Sequence, residues 1–206
     1  MIALQRLFFY CGGSLLNSGS SLLSGSLYAS AGAAATGLSL LGLCIGLSLG
    51  LDFTRYRFNS KPVNDIETSL GITQTDIDSY EKANRRHLQL TEFNLELFQR
   101  VRLVALGLAG NGLHWDLGVY GSLCNHRYII GGLVPATTGA KSIRSVTRYS
   151  HPDATSAYGA NFGIVTRFTY DMIGIFVRYR LNGLGKAPAA GEVLLPRLTV
   201  GLQLQY

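Results

Sequence analysis

The final ten residues of the chain alternate strictly between apolar and polar side chains. The apolar positions are Leu198, Val200, Leu202, Leu204 and Tyr206. Successive side chains of a β-strand point to opposite sides of its sheet, so this segment forms a strand with one apolar face and one polar face. A strand of this kind suits an amphipathic strand of a soluble sandwich or a strand of a membrane barrel. The rest of the chain decides between them.

The composition favours a membrane barrel over a soluble domain or a membrane helix. Charged residues make up 15% of the 206 residues, below the usual quarter of a soluble domain. No run of about 18 apolar residues is present, so no segment has the pattern of a transmembrane helix. Only helices and closed barrels satisfy the backbone in lipid, so a membrane location requires a barrel whose outer face alone is apolar.

The same alternation recurs along the chain and predicts the strands of this barrel. Six segments show it clearly: 43–56, 93–103, 113–123, 162–168, 173–181 and 197–206. Two more strands are predicted in the first forty residues, at 4–13 and 26–36, with a turn near Gly37. No segment of these forty residues has the pattern of a secretory signal peptide, so we expect them to belong to the fold.

The lengths of the predicted links alternate between long and short. The longer links are 14–25, 59–87, 131–156 and 182–196, and the short ones lie near Gly37, at 107–112 and at 169–172. Bacterial single-chain barrels have short periplasmic turns and long outer loops. The sequence therefore predicts an all-β, eight-stranded antiparallel transmembrane β-barrel that forms a single domain over 1–206. Both termini are expected on the periplasmic side.

The C-terminal part of the chain resembles the outer-membrane β-barrel families common in Bacteroidetes, described as porin-like or PorT-like. The resemblance covers about the last 120 residues, and the segments that carry it are 158–163, 167–181, 195–206 and the pair 90–103 and 113–128. It implies location in the bacterial outer membrane, with a final strand and its aromatic Tyr206 read by the barrel-insertion machinery. It also implies contact with outer-membrane lipid and lipopolysaccharide. Members of such families include structural barrels and accessory subunits of larger envelope machines.

The polar faces of the predicted strands bring charged side chains into the lumen. The inward set is Asp52, Glu92, Glu96, Arg100, Arg102, Asp116, Arg167, Arg178, Arg180 and Arg197. Buried charges are costly unless they are paired, so this set predicts salt bridges that close the lumen. We expect the short turn at 107–112 to bring Arg102 close to Asp116, and Arg178 to reach Glu96. Because the arginines outnumber the acids, a narrow polar pore or an anion site remains an alternative.

Residues with catalytic or metal-binding chemistry do not form a recognisable motif. His114 and Asp116 share a strand face, as do Cys124 and His126, and His87 lies near the outer rim. A nucleophile, a base and an orienting group are not spaced as catalysis requires, and two ligands on one strand, even with Cys44, do not complete a zinc site. We therefore predict no catalytic residue, no metal and no cofactor. The net charge of +6 is not concentrated in a basic run, and no nucleic-acid partner is expected.

The expected function is that of a non-enzymatic barrel with a plugged polar lumen. It would serve as a structural or accessory subunit of a larger cell-envelope complex of the secretion or barrel-assembly type, with other envelope proteins as partners. Three alternatives remain: a small channel, an outer-membrane lipid-modifying enzyme that uses His114 and His87, and a soluble barrel with an apolar interior. Several tyrosines near strand ends suit interfacial girdles or ordinary strand preference equally well: Tyr28, Tyr56, Tyr128, Tyr158 and Tyr170.

Overall fold

The computed structural model describes residues 3–15, 23–40, 43–58, 73–78, 82–103, 112–134, 143–149, 158–182 and 197–206. These residues form strands and one short helix: β1 (Ala3–Leu15), β2 (Leu23–Leu40), β3 (Leu43–Phe58), α1 (Gln74–Asp78), β4 (Lys82–Arg102), β5 (Leu113–Val134), β6 (Ile143–Tyr149), β7 (Tyr158–Tyr170), β8 (Ile173–Arg180) and β9 (Leu198–Gln205). Across these ranges, no helix combines the length and apolar character needed to span a membrane.

Eight of the strands close into an antiparallel β-barrel. Around the ring, β1 to β5 follow one another, β7 to β9 complete the series, and β9 pairs with β1. Every strand predicted from the alternating pattern corresponds to one of these eight. The prediction of an eight-stranded antiparallel barrel is therefore confirmed.

The barrel strands are steeply tilted, because the register advances by ten residues in one circuit of the ring. The circuit leaves β3 at Cys44 and returns to it at Thr54, ten residues further along the strand. It runs through Cys44, Arg100, Asp116, Arg167, Phe176, Gly201, Gly12, Tyr28 and Thr54. For eight strands at normal spacing, this stagger corresponds to a tilt of about 40°, within the range usual for closed barrels.

The two ends of the barrel differ in their links. At one end, the chain turns between β2 and β3, between β4 and β5, and at Asp171 and Met172 between β7 and β8. The same end carries the start of β1 and the end of β9. We call it the short-turn end, and the opposite end the long-link end. The two ends alternate along the chain as predicted, but link length does not separate them strictly, because the link 16–22 between β1 and β2 is shorter than the link 103–112 between β4 and β5.

Strand β6 departs from the prediction, which assigned residues 131–156 to a loop. It pairs with the last part of β5, from Tyr128↔Tyr149 to Val134↔Ile143, beyond the point where β7 pairs with β5. Strand β4 likewise begins at Lys82, inside the predicted 59–87 link. The sequence of β6, IRSVTRY, does not alternate cleanly between apolar and polar residues, so the pattern that identified the other strands is missing from it.

Burial follows the alternation of the strands. In β3, every odd-numbered side chain from Leu43 to Arg57 faces outward, and every even-numbered residue from Cys44 to Phe58 is buried. Several inward positions are glycines that leave room for aromatic rings. A Cβ at Gly46 would collide with the ring of Phe98, and one at Gly163 would lie 2.6 Å from the ring of Tyr120. The interior is therefore filled by large side chains of one strand that lie against glycines of another strand.

Helix α1 begins with a capping box at the long-link end. The backbone N–H and the hydroxyl of Thr73 each donate to Oδ2 of Asp76 at 2.7 Å, while the N–H of Asp76 donates back to the Thr73 hydroxyl at 3.3 Å. These hydrogen bonds hold the pKa of the exposed Asp76 carboxyl below its usual range, and the bond from the backbone N–H of Thr73 has the largest effect. The helix lies in the part of the chain that the sequence assigned to a polar link.

Candidate functional site in the barrel lumen

A first ionic group in the lumen joins β4, β5 and β7. The guanidinium of Arg100 donates from Nε and Nη2 to the two carboxylate oxygens of Asp116, both at 2.7 Å. Nη2 of Arg167 donates to Oε1 of Glu96, and its Nη1 lies 3.8 Å from Oδ2 of Asp116. All four side chains are buried. Because each charge has an opposite partner, the group satisfies the condition under which buried ions are tolerated.

A second ionic group lies closer to the long-link end. Nη1 of Arg178 donates to Oδ2 of Asp52 and to the hydroxyl of Tyr28, the latter at 2.8 Å. The hydroxyl of Ser30 donates to the other oxygen of Asp52 at 2.6 Å. The guanidinium carbon of Arg178 lies 3.5 Å from the centre of the Tyr120 ring, in a cation–π contact. The second group thus joins β2, β3, β5 and β8 across the interior.

Aromatic rings fill the space between these ions. The ring of Phe98 has the guanidinium carbons of Arg100 and Arg167 both at 5.5 Å from its centre. The guanidinium carbon of Arg167 lies 5.4 Å from the centre of the Tyr10 ring. The Tyr10 ring also packs against Phe176, with 5.1 Å between the ring centres. These contacts place planar cations against aromatic faces beside the ion pairs.

The structure places eight of the ten predicted lumen residues inside the barrel as buried side chains: Asp52, Glu92, Glu96, Arg100, Asp116, Arg167, Arg178 and Arg180. Arg197 is partly exposed, and Arg102 is exposed at the short-turn end. The assignment of Arg102 to the buried network was therefore wrong. The outermost charge of β4 lies at the rim, where water solvates it.

Both predicted pairings were also wrong. The register of β4 and β5 sets Arg100 opposite Asp116 and Arg102 opposite His114. Glu96 is bound by Arg167 instead of Arg178. The second error arises because β4 begins at Lys82, which puts Glu96 toward the short-turn end of its strand, whereas Arg178 lies toward the long-link end of β8.

Several tyrosines expected near the membrane interfaces point into the barrel instead. Tyr28, Tyr56 and Tyr128 are buried in the interior and do not form an outer girdle, whereas Tyr170 is exposed on the outside. Tyr56 lies on the same strand face as Asp52, and this shared face is the signal that could have identified its inward direction. Arg86 and His87 are buried too, although the sequence assigned them to a loop.

Two cavities in the described part of the lumen are small. One, of about 10 Å³, lies between the Phe98 and Arg167 side chains. Another, of about 30 Å³, lies near the long-link end and is lined by Glu92, Arg178, Arg180 and other side chains. A single water needs roughly 10–15 Å³ measured in this way, so these spaces hold one to a few waters. The part of the lumen that the structure describes is filled by side chains.

The two histidines considered for catalysis lie at opposite ends of the barrel. Nδ1 of His114 lies 3.3 Å from the carbonyl oxygen of Gly112 at the short-turn end, while Nδ1 of His87 lies 3.3 Å from Nη2 of Arg55 near the long-link end. Both oxygens of Asp116 accept hydrogen bonds from Arg100. In the described ranges, no three His, Cys, Asp or Glu side chains come together as a metal site would require. The side chain of His126 lies outside the described set.

Toward the C-terminal end of β9, the apolar side chains face outward as predicted. Leu202, Leu204 and Tyr206 are exposed on the outer surface, with Tyr206 at 83%, and Leu198 and Val200 are partly exposed. The backbone of Tyr206 exchanges two hydrogen bonds with Leu7, both at 2.9 Å. The pairing of β9 with β1 therefore continues to the end of the described chain, where the Tyr206 side chain points away from the barrel.

Replacement of Arg167 by Met should lower the free energy of unfolding by about 3–5 kcal/mol, because it leaves Glu96 buried without its partner. The matched control is Arg102→Met, which removes an exposed arginine of the same barrel and should change stability by less than about 0.5 kcal/mol. Denaturant titration of both variants in detergent measures the difference. Equal losses would contradict the paired lumen.

Comparison with known proteins gives no relative for this chain. No family model matches the sequence, and neither the curated proteins nor the solved structures contain a significant match. The resemblance to Bacteroidetes outer-membrane barrels therefore stays a prediction.

Proposed function

We propose that this protein is an integral outer-membrane β-barrel with a closed lumen, which acts without catalysis as a structural or accessory subunit of a larger cell-envelope complex. One observation carries the proposal: large apolar side chains are exposed on the outward faces of all eight barrel strands. Soluble monomers rarely expose a contiguous apolar patch above a few hundred Å². A lipid environment supplies the missing partner for this surface.

The height of the apolar band supports insertion into a bilayer. On β3, the outward side chains are apolar from Leu43 to Phe53 and become basic at Arg55. The ten residue-to-residue steps from Leu43 to Phe53 span roughly 34 Å along the strand, which a tilt of about 40° reduces to a height of roughly 26 Å. The apolar band of outer-membrane barrels is about 25 Å tall.

Substitution of Leu49 by Arg tests the membrane location. Leu49 is exposed near the middle of the band, where an arginine should cost about 2–4 kcal/mol of folding free energy in vesicles. The matched variant is Thr91→Arg, at an exposed outward position near the edge of the band, which should cost about 0–1 kcal/mol. Equal and small costs at both positions, with folding that needs no lipid or detergent, would contradict insertion.

The filled interior supports the proposal that the barrel does not conduct. Ion pairs and aromatic rings occupy the described lumen, and its cavities hold only a few waters. We expect protein inserted in a planar bilayer to show no steady single-channel conductance. A reproducible open level that appears with each insertion event would instead favour the small channel.

The projecting sheet supports the proposed role as a subunit. Beyond the ring, β5 pairs with the first part of β4 on one side and with β6 on the other. Within the described chain, β6 pairs with β5 alone, and its second edge is where a strand of the partner would add.

Purification from outer membranes in mild detergent tests the subunit role. We expect a partner protein to remain bound in fixed stoichiometry, and Val146→Pro in β6 to release it, because proline disrupts strand pairing. The ring itself should stay folded in this variant, which heat-modifiable migration on a gel verifies. A lone monomer from the unaltered chain, or retention of the partner by Val146→Pro, would count against this role.

The exposed end of β9 supports its proposed part in insertion. Because the Tyr206 side chain is 83% exposed, Tyr206→Asp should leave refolding in detergent unchanged but lower the amount of folded barrel in cells. Tyr206→Phe keeps the aromatic ring and should assemble normally. Unchanged cellular assembly of Tyr206→Asp would mean that the last residue is not recognised.

A further inference from the structure

Two exposed arginines lie in one hydrogen-bonded row on the outside of the barrel. Arg55 of β3 pairs with Gln89 of β4, and Gln89 pairs with Arg127 of β5. Arg55 and Arg127 are exposed on the outer surface, and Gln89 is half-buried between them. Strands are about 4.8 Å apart, so the two arginine backbones lie roughly 10 Å apart, and two long side chains can meet over the glutamine.

The row lies close to the edge of the apolar band, one outward row beyond its last fully apolar row. Leu51, Phe93 and Leu123 occupy an earlier row of the same three strands and are 60%, 51% and 63% exposed. One outward row, which contains Phe53 and Thr91, separates them from the arginines. The surface thus changes from apolar to cationic within a few residues of three neighbouring strands, on the side of the long-link end.

Carboxylates of the barrel strands do not face this row. In the described strands, the acidic residues are Asp52, Glu92, Glu96 and Asp116, and all four are buried in the lumen. Nη2 of Arg55 lies 3.3 Å from Nδ1 of His87, a contact in which the ring nitrogen accepts, so this contact does not neutralise the guanidinium. The outward charge of the row therefore suits an anionic ligand.

We propose that Arg55 and Arg127, with the amide of Gln89 between them, bind the phosphate of an anionic membrane lipid whose acyl chains lie along Leu51, Phe93 and Leu123. Guanidinium groups match phosphate oxygens with paired, charge-assisted hydrogen bonds. The neighbouring apolar row gives the acyl chains a surface that free phosphate would not use. The inference rests on the proposed membrane location, and it adds one lipid site on one side of the barrel.

Native mass spectrometry of the full chain in mild detergent, titrated with phosphatidic acid, tests the site. We expect one phosphatidic acid to bind well above the level of phosphatidylcholine. Arg55→Gln combined with Arg127→Gln should weaken that binding roughly tenfold or more, since each basic residue near a membrane surface contributes measurably to anionic-lipid affinity. Arg102→Gln removes an exposed arginine at the opposite end and should leave binding unchanged. The double Lys variant should retain part of the affinity.

Three outcomes would overturn the inference: equal binding of phosphatidylcholine, an equal loss with Arg102→Gln, or full competition by millimolar inorganic phosphate, which would indicate an ion site without lipid. Insertion into neutral phosphatidylcholine vesicles separates this inference from the proposed function. A barrel that inserts there and shows no preference for the phosphate lipid contradicts the site alone. A barrel that does not insert into vesicles contradicts the membrane location as well.

Discussion

The pairing of β9 with β1 closes the barrel. It joins the two ends of the described chain and turns an eight-stranded sheet into a ring. An open sheet of this kind would have two edges of unpaired N–H and C=O groups, each of which costs several kcal/mol in hydrocarbon. Closure removes these edges, and the stagger of ten residues sets the tilt and the width of the ring. The width in turn determines how many side chains the interior must hold.

The same residues fill the interior and pair its charges. Glycines such as Gly46 and Gly163 accommodate rings from neighbouring strands, and the rings lie against guanidinium groups. The acids then sit where strand register and side-chain length bring them to those cations. Buried ion pairs of this kind add little net stability compared with apolar packing, but the loss of one partner is costly. Each buried carboxylate of these ion pairs has a defined arginine partner, so a polar interior can be filled without unpaired charges at these positions.

The alternating pattern predicted the strands and the faces of their side chains, because period two is a local property of each segment. Partner choice inside the ring was not predictable in this way. Arg167 reaches Glu96, and Arg178 reaches Asp52, through a stagger that depends on all eight strand registers together. Strand β6 was missed because its residues lack the alternation. The outer row of Arg55 and Arg127 became visible only when register placed three strands side by side.

The central claim is that the outward side chains of β3 face lipid. Nitroxide labels at Leu43, Leu47 and Leu51, attached one at a time to cysteine variants of a chain whose native cysteines are replaced by serine, test it in vesicles. If these side chains face lipid, dissolved oxygen should relax all three labels more than a water-soluble nickel chelate does, with the largest excess at Leu47. Equal access of the chelate to Leu47 would contradict the account.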